Sequence, residues 1–152
     1  MSKINIYSIV KPTKDEFDTL IKEFIKMSSK YSKVEVHYIF NKNIAKAQSI
    51  GESEAKQVYS DTYEPLLKGY NIALDVLGKK LDTYAFSSLI DNKNEVNFFI
   101  GGAFGFQRSF LEKCDTVISL SDLTMAHKVA NVVLGEQIFR ALCIQNNHPY
   151  HK

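Results

Sequence analysis

Apolar residues recur along the chain in two rhythms. Stretches of period 2 or of continuous apolar character lie near residues 3–10, 34–40, 70–76, 95–100 and 115–120 and read as strands; stretches of period 3.6 lie between them. This alternation predicts an α/β fold, a mostly parallel sheet flanked by helices. Between the first two strands, Phe17, Leu20, Ile21, Phe24 and Ile25 fall at i, i+3, i+4, i+7 and i+8 and make one apolar helix face.

The other side of that helix carries Lys22, Lys26 and Lys30, with Lys33 just beyond. Such a stripe is either a solvated face or a ridge that meets phosphates. In the second strand Val34, Val36, Tyr38 and Phe40 alternate with Glu35 and His37, so one side faces water and His37 is expected at the surface. Residues 44–69, with Gly51 and Pro65, read as a long, polar, partly helical connection, mobile at its start. Asp82, after the strand "NIALDV" and the turn "LGKK", is placed to cap a helix over 83–92.

The last helix, about 126–146, is apolar on several sides: Val129, Val132, Val133, Leu134, Ile138, Phe139, Leu142 and Ile144 surround it. Such a helix needs cover on several sides, and in a chain this small a partner subunit is the expected second cover.

With 45% hydrophobic residues among 152, the chain can build one core, and no linker-like block or internal repeat divides it, so one domain over 1–152 is expected. The net charge of +2 does not identify a nucleic-acid partner, but residues 1–46 hold nine Lys against five Asp and Glu, so the first third is the basic part. Cys114 and Cys143 lie far apart without C-x-x-C spacing, which argues against a metal knuckle or redox pair and suits a reducing cytosol. The opening "MSKINIYSIVKP" has too short an apolar run for a signal peptide, and no run approaches a membrane span. A soluble, cytoplasmic protein that binds no membrane or metal is expected.

The stretch "NFFIGGAFGF", residues 97–106, ends a strand in glycines, and Gly101, Gly102 and Gly105 let a ligand approach the main chain without a Cβ in the way. A tight strand-to-helix turn without ligand would use the same residues. Three loops follow predicted strands, "LGKK", "GGAFG" and "SDLTMAH", and in open parallel sheets ligands collect at the carboxyl ends of strands. A dinucleotide site is one candidate, with Asp122 as the ribose acid. The spacing is G-G-x-x-G rather than G-x-G-x-x-G, however, and no room remains for a second half.

The ending "NNHPYHK" crowds two histidines, a tyrosine and a lysine into a segment that would ordinarily fray. With "LDVLGK", "FFIGG", "SLSDLT" and "EQIFRA" before it, the chain from about Leu74 to Lys152 closely resembles the RlmH family of SPOUT-class methyltransferases, which methylate N3 of a pseudouridine in large-subunit (23S) ribosomal RNA. The N-terminal half matches only in the order of its elements. The resemblance implies a C-terminal deep trefoil knot, against the general avoidance of threaded chains. It also implies a homodimer, S-adenosylmethionine (SAM) as methyl donor, and the assembled ribosome as substrate.

Matched position by position, the resemblance gives Leu74, Gly102, Ser121, Asp122, Leu123, Thr124, Met125 and Ala126 to the cofactor. Ser121 and Thr124 could also cap the last helix. Tyr150, His151 and Arg140 become the catalytic candidates, the first two assisting proton loss from the target base and Arg140 binding phosphate or steadying the tail. His127 reads as a hydrogen-bonded helix-entry residue or a catalytic one; His148 and Lys152 act, pack or face solvent.

The family loop commonly reads G-G-P-E-G, whereas Ala103 and Phe104 stand at its Pro and Glu positions, and Ala126 replaces a Pro before the loop histidine. Ala103 and Phe104 raise one alternative, a SAM-binding or ribosome-binding protein with impaired catalysis, and the Rossmann-like unit alone raises another, a nucleotide-dependent oxidoreductase.

Overall fold

The computed structural model describes residues 2–152. Five strands, β1 (Lys3–Ser8), β2 (Lys33–Tyr38), β3 (Tyr70–Lys80), β4 (Glu95–Ile100) and β5 (Thr116–Ser119), form one sheet in the order β2-β1-β4-β3-β5. Every pairing is parallel. The helices are α1 (Glu16–Ser28), α2 (Lys42–Ile50), α3 (Glu52–Tyr63), α4 (Thr83–Ile90), α5 (Arg108–Lys113) and α6 (His127–Gln145).

Period 2 along each strand divides the core into two layers. Ile4, Ile6, Ile72, Val96 and Phe98 meet Phe86 of α4 and Leu134, Ile138 and Leu142 of α6 on one face. Tyr7, Ala73 and Phe99 meet Ile44, Ala55, Tyr59, Tyr63 and Phe110 on the other. A polar ladder crosses this second face. Asn5, Asn97 and Asn71 stand in register on β1, β4 and β3. Asn5 donates to Asn97 Oδ1 (2.8 Å), and Asn97 donates to the Lys68 carbonyl (2.6 Å) and more weakly to Asn71 Oδ1 (3.4 Å). Slipping either pairing by one residue would strand these buried amides, so the ladder fixes register as well as satisfying polar groups.

Several expectations from the sequence change here. Residues 44–69, expected to be partly helical, are mostly so and not merely a polar connection: α2 and α3 fill most of them, with a 3-10 turn at Glu64–Leu66, and Ile44, Tyr59 and Tyr63 are fully buried. His37 is half-buried, donating from Nε2 to Asn5 Oδ1 (3.1 Å) and stacking on Tyr7 at 4.7 Å. "LGKK" is no turn, because β3 runs through it after an excursion: Leu74 and Lys79 both stand opposite Ile118, so 75–78 leave the ladder.

Asp82 caps α4 as expected, accepting from the Ala85 N–H (2.8 Å), and the helix ends at Ile90. Neither Ser121 nor Thr124 caps α6, whose N-cap is Ala126. Ser121 instead braces its own loop, its Oγ accepting from the Leu123 N–H (3.0 Å).

The apolar faces of α1 and α6 are only partly covered. Ile21 is buried, but Phe17 and Leu20 are 38% and 49% exposed, beside Val129 at 37% on α6. Most of the cover expected from a partner is in fact supplied within the chain: the sheet and α4 bury Leu134, Ile138 and Leu142, α1 packs on Phe139 through Phe24, and Val129 alone of the apolar residues of α6 is exposed.

Candidate functional site

The carboxyl ends of β4, β3 and β5 are neighbours in the sheet, and their loops enclose a cleft of about 250 Å³. β3 contributes Leu74, Asp75 and Val76. The glycine loop contributes Gly101, Gly102, Ala103, Gly105 and Phe106, and the loop after β5 supplies Ser121, Leu123, Thr124 and Met125, with His127 of α6 at the edge.

Two glycines shape it for different reasons. Gly105 has φ +78°, in the left-handed region, and its N–H donates to the Gly102 carbonyl (3.0 Å), closing the loop. Gly102 has no such backbone demand; a Cβ there would lie 2.3 Å from Cζ of Tyr59. Tyr59 is the floor of the loop. Fully buried, it donates its hydroxyl hydrogen to Gln48 of α2 (2.5 Å). Burial raises the phenol's pKa, with the Phe104 and Ala103 amides acting the other way.

Among the eight residues assigned to the cofactor, Leu74, Gly102, Ser121, Leu123, Thr124 and Met125 line the cleft. Asp122 does not; its carboxylate lies 2.5 Å from Lys80 Nζ. Ala126 sits just behind, at the start of α6.

No lysine or arginine lines the cleft, and its one carboxylate is Asp75, which accepts from the Leu77 N–H (3.0 Å). His127 has a buried Nδ1 without a hydrogen-bond partner among the described residues, and burial lowers its pKa, holding the ring neutral. The cleft does not include Asp122, the acid a dinucleotide's ribose would need, which pairs with Lys80 instead and so disfavours that ligand. Its apolar walls, main-chain groups and single negative charge suit a nucleoside that carries positive charge.

The other candidates gather at the far end of α6. Glu136 Oε1 accepts from Arg140 Nε (2.9 Å) and Nη2 (2.6 Å) and from the Tyr150 hydroxyl (3.1 Å). The guanidinium lies over the Tyr150 ring at 4.6 Å, and Nη1 donates to His151 Nδ1 (3.0 Å). Since a guanidinium only donates, Nδ1 carries no proton, and the neutral His151 ring bears its hydrogen on Nε2. The His151 ring meets Tyr84 edge-on, and His148 Nδ1 accepts from the Tyr150 N–H (3.2 Å), so the terminus is packed rather than frayed. Burial, then the Glu136 charge, raises the Tyr150 pKa, and the bond to Glu136 raises that of Arg140.

Within one chain these two clusters do not meet. At about 1.5 Å per residue, the thirteen positions from His127 to Arg140 span about 20 Å. Lys152 is exposed at the end. On α1, Lys22 pairs with Asp18 (3.0 Å) and Lys26 is exposed, while Lys30 lies beyond the end of the helix, over the Tyr31 ring (5.0 Å).

Three contributors escaped the sequence reading. Asp75 lies inside the strand expected over 70–76, one residue before its end. Tyr59 had a signal, Ala55, Tyr59 and Tyr63 at i, i+4 and i+8, lost in a segment judged by its polarity. Glu136 stands one helical turn before Arg140 in "EQIFRA", the spacing of an ion pair. Among the described residues no group of three or more His, Cys, Asp and Glu side chains could hold a metal, and no helix is long and apolar enough to cross a membrane.

Residues 2–151 match the family described as "Predicted SPOUT methyltransferase". The chain is 85% identical over 150 residues to "Ribosomal RNA large subunit methyltransferase H" of Aliarcobacter butzleri, covering 99% of both. Proteins of the same name from Campylobacter concisus (49% over 150 residues, 99% of both chains) and Nitratiruptor sp. (47% over 154 residues, 100% of both) are also similar.

Proposed function

The chain belongs to the SPOUT methyltransferase family, and on that premise we propose that it transfers a methyl group from SAM to large-subunit ribosomal RNA, at N3 of a pseudouridine, as a homodimer acting on the assembled ribosome. The observation that carries this reading is the cleft at the ends of β3, β4 and β5, apolar, free of cationic side chains and facing one carboxylate. Bound there, SAM would supply a methyl group on positively charged sulfur. Leu74, Leu123 and Met125 would cover the faces of its adenine, main-chain groups of the glycine loop and of 121–125 would bracket the edge, and Asp75 would face the positive charge. His127, held neutral, adds no opposing charge. Family membership also implies the knotted C-terminal half and a single domain over 1–152.

The tail cluster would act in the partner's cleft. Its distance from its own cleft calls for a second subunit, and the part-exposed Phe17, Leu20 and Val129 are apolar surface that such a partner would cover. N3 of the target base becomes a nucleophile on losing its proton to solvent water, and the Arg140 cation favours the ionised ring. Tyr150 stays a phenol and His151 presents an Nε2–H, so both serve as donors that hold the base in line rather than as proton acceptors.

The test is labelled SAM with ribosomes lacking the modification. Transfer to large-subunit RNA by the full chain, and its loss on deleting 148–152 with SAM binding retained, is the expected outcome; full-rate methylation by the truncated chain would refute the role of the tail. Binding without transfer would favour an impaired protein, the reading raised by Ala103 and Phe104, although Asp75 keeps a carboxylate at the cleft.

A further inference from the structure

The glycine loop has two sides. Ala103 faces the cleft, whereas Phe104 faces a second, larger depression of about 830 Å³ that shares Asp75, Gly105 and Phe106 with it. The two hollows are therefore one continuous surface, divided by the loop. On the outer side Phe104 is 38% exposed and Leu77, at the tip of the β3 excursion, 92% exposed. Neither gains anything for the fold by standing there.

Three cations and two carboxylates, Asp75 and Glu112, line the outer hollow. Lys56 pairs with Glu52 (2.9 Å) and Arg108 loosely with Glu112 (3.5 Å), while Lys79 is exposed and has no carboxylate partner among the described residues. Aromatic and apolar surface beside an unpaired lysine is the equipment of a single-stranded nucleic-acid groove, where bases stack and phosphates meet lysine and arginine. A dinucleotide-like ligand is not needed to explain it. The chemistry supplies the reason for such a groove beside the cleft: a base methylated on its pairing edge must leave its stack, which splays the nucleotides next to it. Those neighbours must be held within one nucleotide step of the methyl donor, and the outer hollow is the surface that abuts it.

We propose that this hollow binds the nucleotide flanking the target in the RNA strand, with Phe104 as the stacking platform for its base and Lys79 as a phosphate contact. The inference rests on the RNA substrate proposed above. In this chain an aromatic platform then stands where the resembled loop has a carboxylate, so Phe104 is a substrate-holding residue and its substitution should leave methyl-donor binding alone.

The experiment measures methylation of ribosomes lacking the modification, over a range of ribosome and salt concentrations, with SAM binding followed separately by calorimetry. Phe104→Ala is expected to raise KM for ribosomes at least about five-fold, the low end of what losing one base stack costs. Its kcat and SAM affinity should stay within two-fold of the wild type, and Phe104→Tyr or Phe104→Trp should restore KM. Lys79→Glu, at an exposed position, should also raise KM and flatten its salt dependence by about one phosphate contact. An unchanged KM in Phe104→Ala, or a weakened SAM affinity in its place, would overturn the proposal while leaving the methyltransferase reading intact. A wild-type chain that binds SAM but never labels RNA would remove both.

Discussion

Gly102 offers the sharpest energetic test of how the proposed methyl-donor cleft is built. A methyl group there would lie 2.3 Å from Cζ and 2.6 Å from Cε2 of Tyr59, about 1.1 Å short of the 3.4 Å at which ordinary contact begins. Tyr59 has nowhere to retreat, since it is fully buried and tied to Gln48, so the loop must lift instead. Overpacking of this kind costs about 1–3 kcal/mol, and lifting the loop also deforms one wall of the cleft, so Gly102→Ala should lose both stability and SAM affinity. The cause is isolated by a double-mutant cycle with Tyr59→Leu, which removes the clashing ring atoms. Alone, Tyr59→Leu should cost somewhat less than the about 3–5 kcal/mol of a full aromatic truncation. In that background Gly102→Ala should cost almost nothing, giving a coupling of about 1–3 kcal/mol by urea unfolding. Gly105→Ala is the control: nothing lies within 4 Å of its Cβ, so its penalty of about 1–2 kcal/mol is conformational and should not couple to Tyr59. Additive costs for Gly102→Ala and Tyr59→Leu would refute the steric account.

Other expectations follow from the polar clusters. Glu136→Gln keeps the size of the hub but removes the charge that holds Arg140 and Tyr150; methyl transfer should fall by about ten-fold or more in single-turnover assays, with SAM affinity unchanged and stability lowered by about 1 kcal/mol or less. Asn97→Leu should cost about 2–4 kcal/mol in urea unfolding, because the Asn5 amide and the Lys68 carbonyl lose their buried partner. Asp15, bonded to Lys128 and Thr13, has its pKa lowered to about 2, so its contribution to stability is full above the unfolded carboxylate's value of about 3.9 and fades as the pH falls from there toward 2. The stability gap between wild type and Asp15→Asn should therefore close over that window in acid unfolding curves.

The parallel sheet and the position of the cleft were legible because period 2 and period 3.6 report burial directly, as at Ile4 and Ile6 of β1 or the run 95–100. Six of the eight residues assigned to the donor stand around one cavity for the same reason: loops at the ends of adjacent strands have little freedom in where they go. Polarity misled where one buried face was enough. α2 and α3 carry many charges, yet Ile44, Ala55, Tyr59 and Tyr63 suffice to bury them against the sheet. His37 looked like a surface residue because its bond to Asn5 and its stacking on Tyr7 come from a neighbouring strand and leave no trace in local spacing. The separation of the tail from the cleft was also invisible, since adjacency in motif says nothing of which end of a helix each occupies.

That separation has a mechanical consequence. With its first turn at the donor cleft and its last at the tail cluster, α6 is a ruler whose nineteen residues set how far apart the two working ends are. In the dimer proposed here, the reach of one subunit into the other would be gauged by that length. Adding one turn to α6, about 5.4 Å, would leave each end chemically intact and put them out of step.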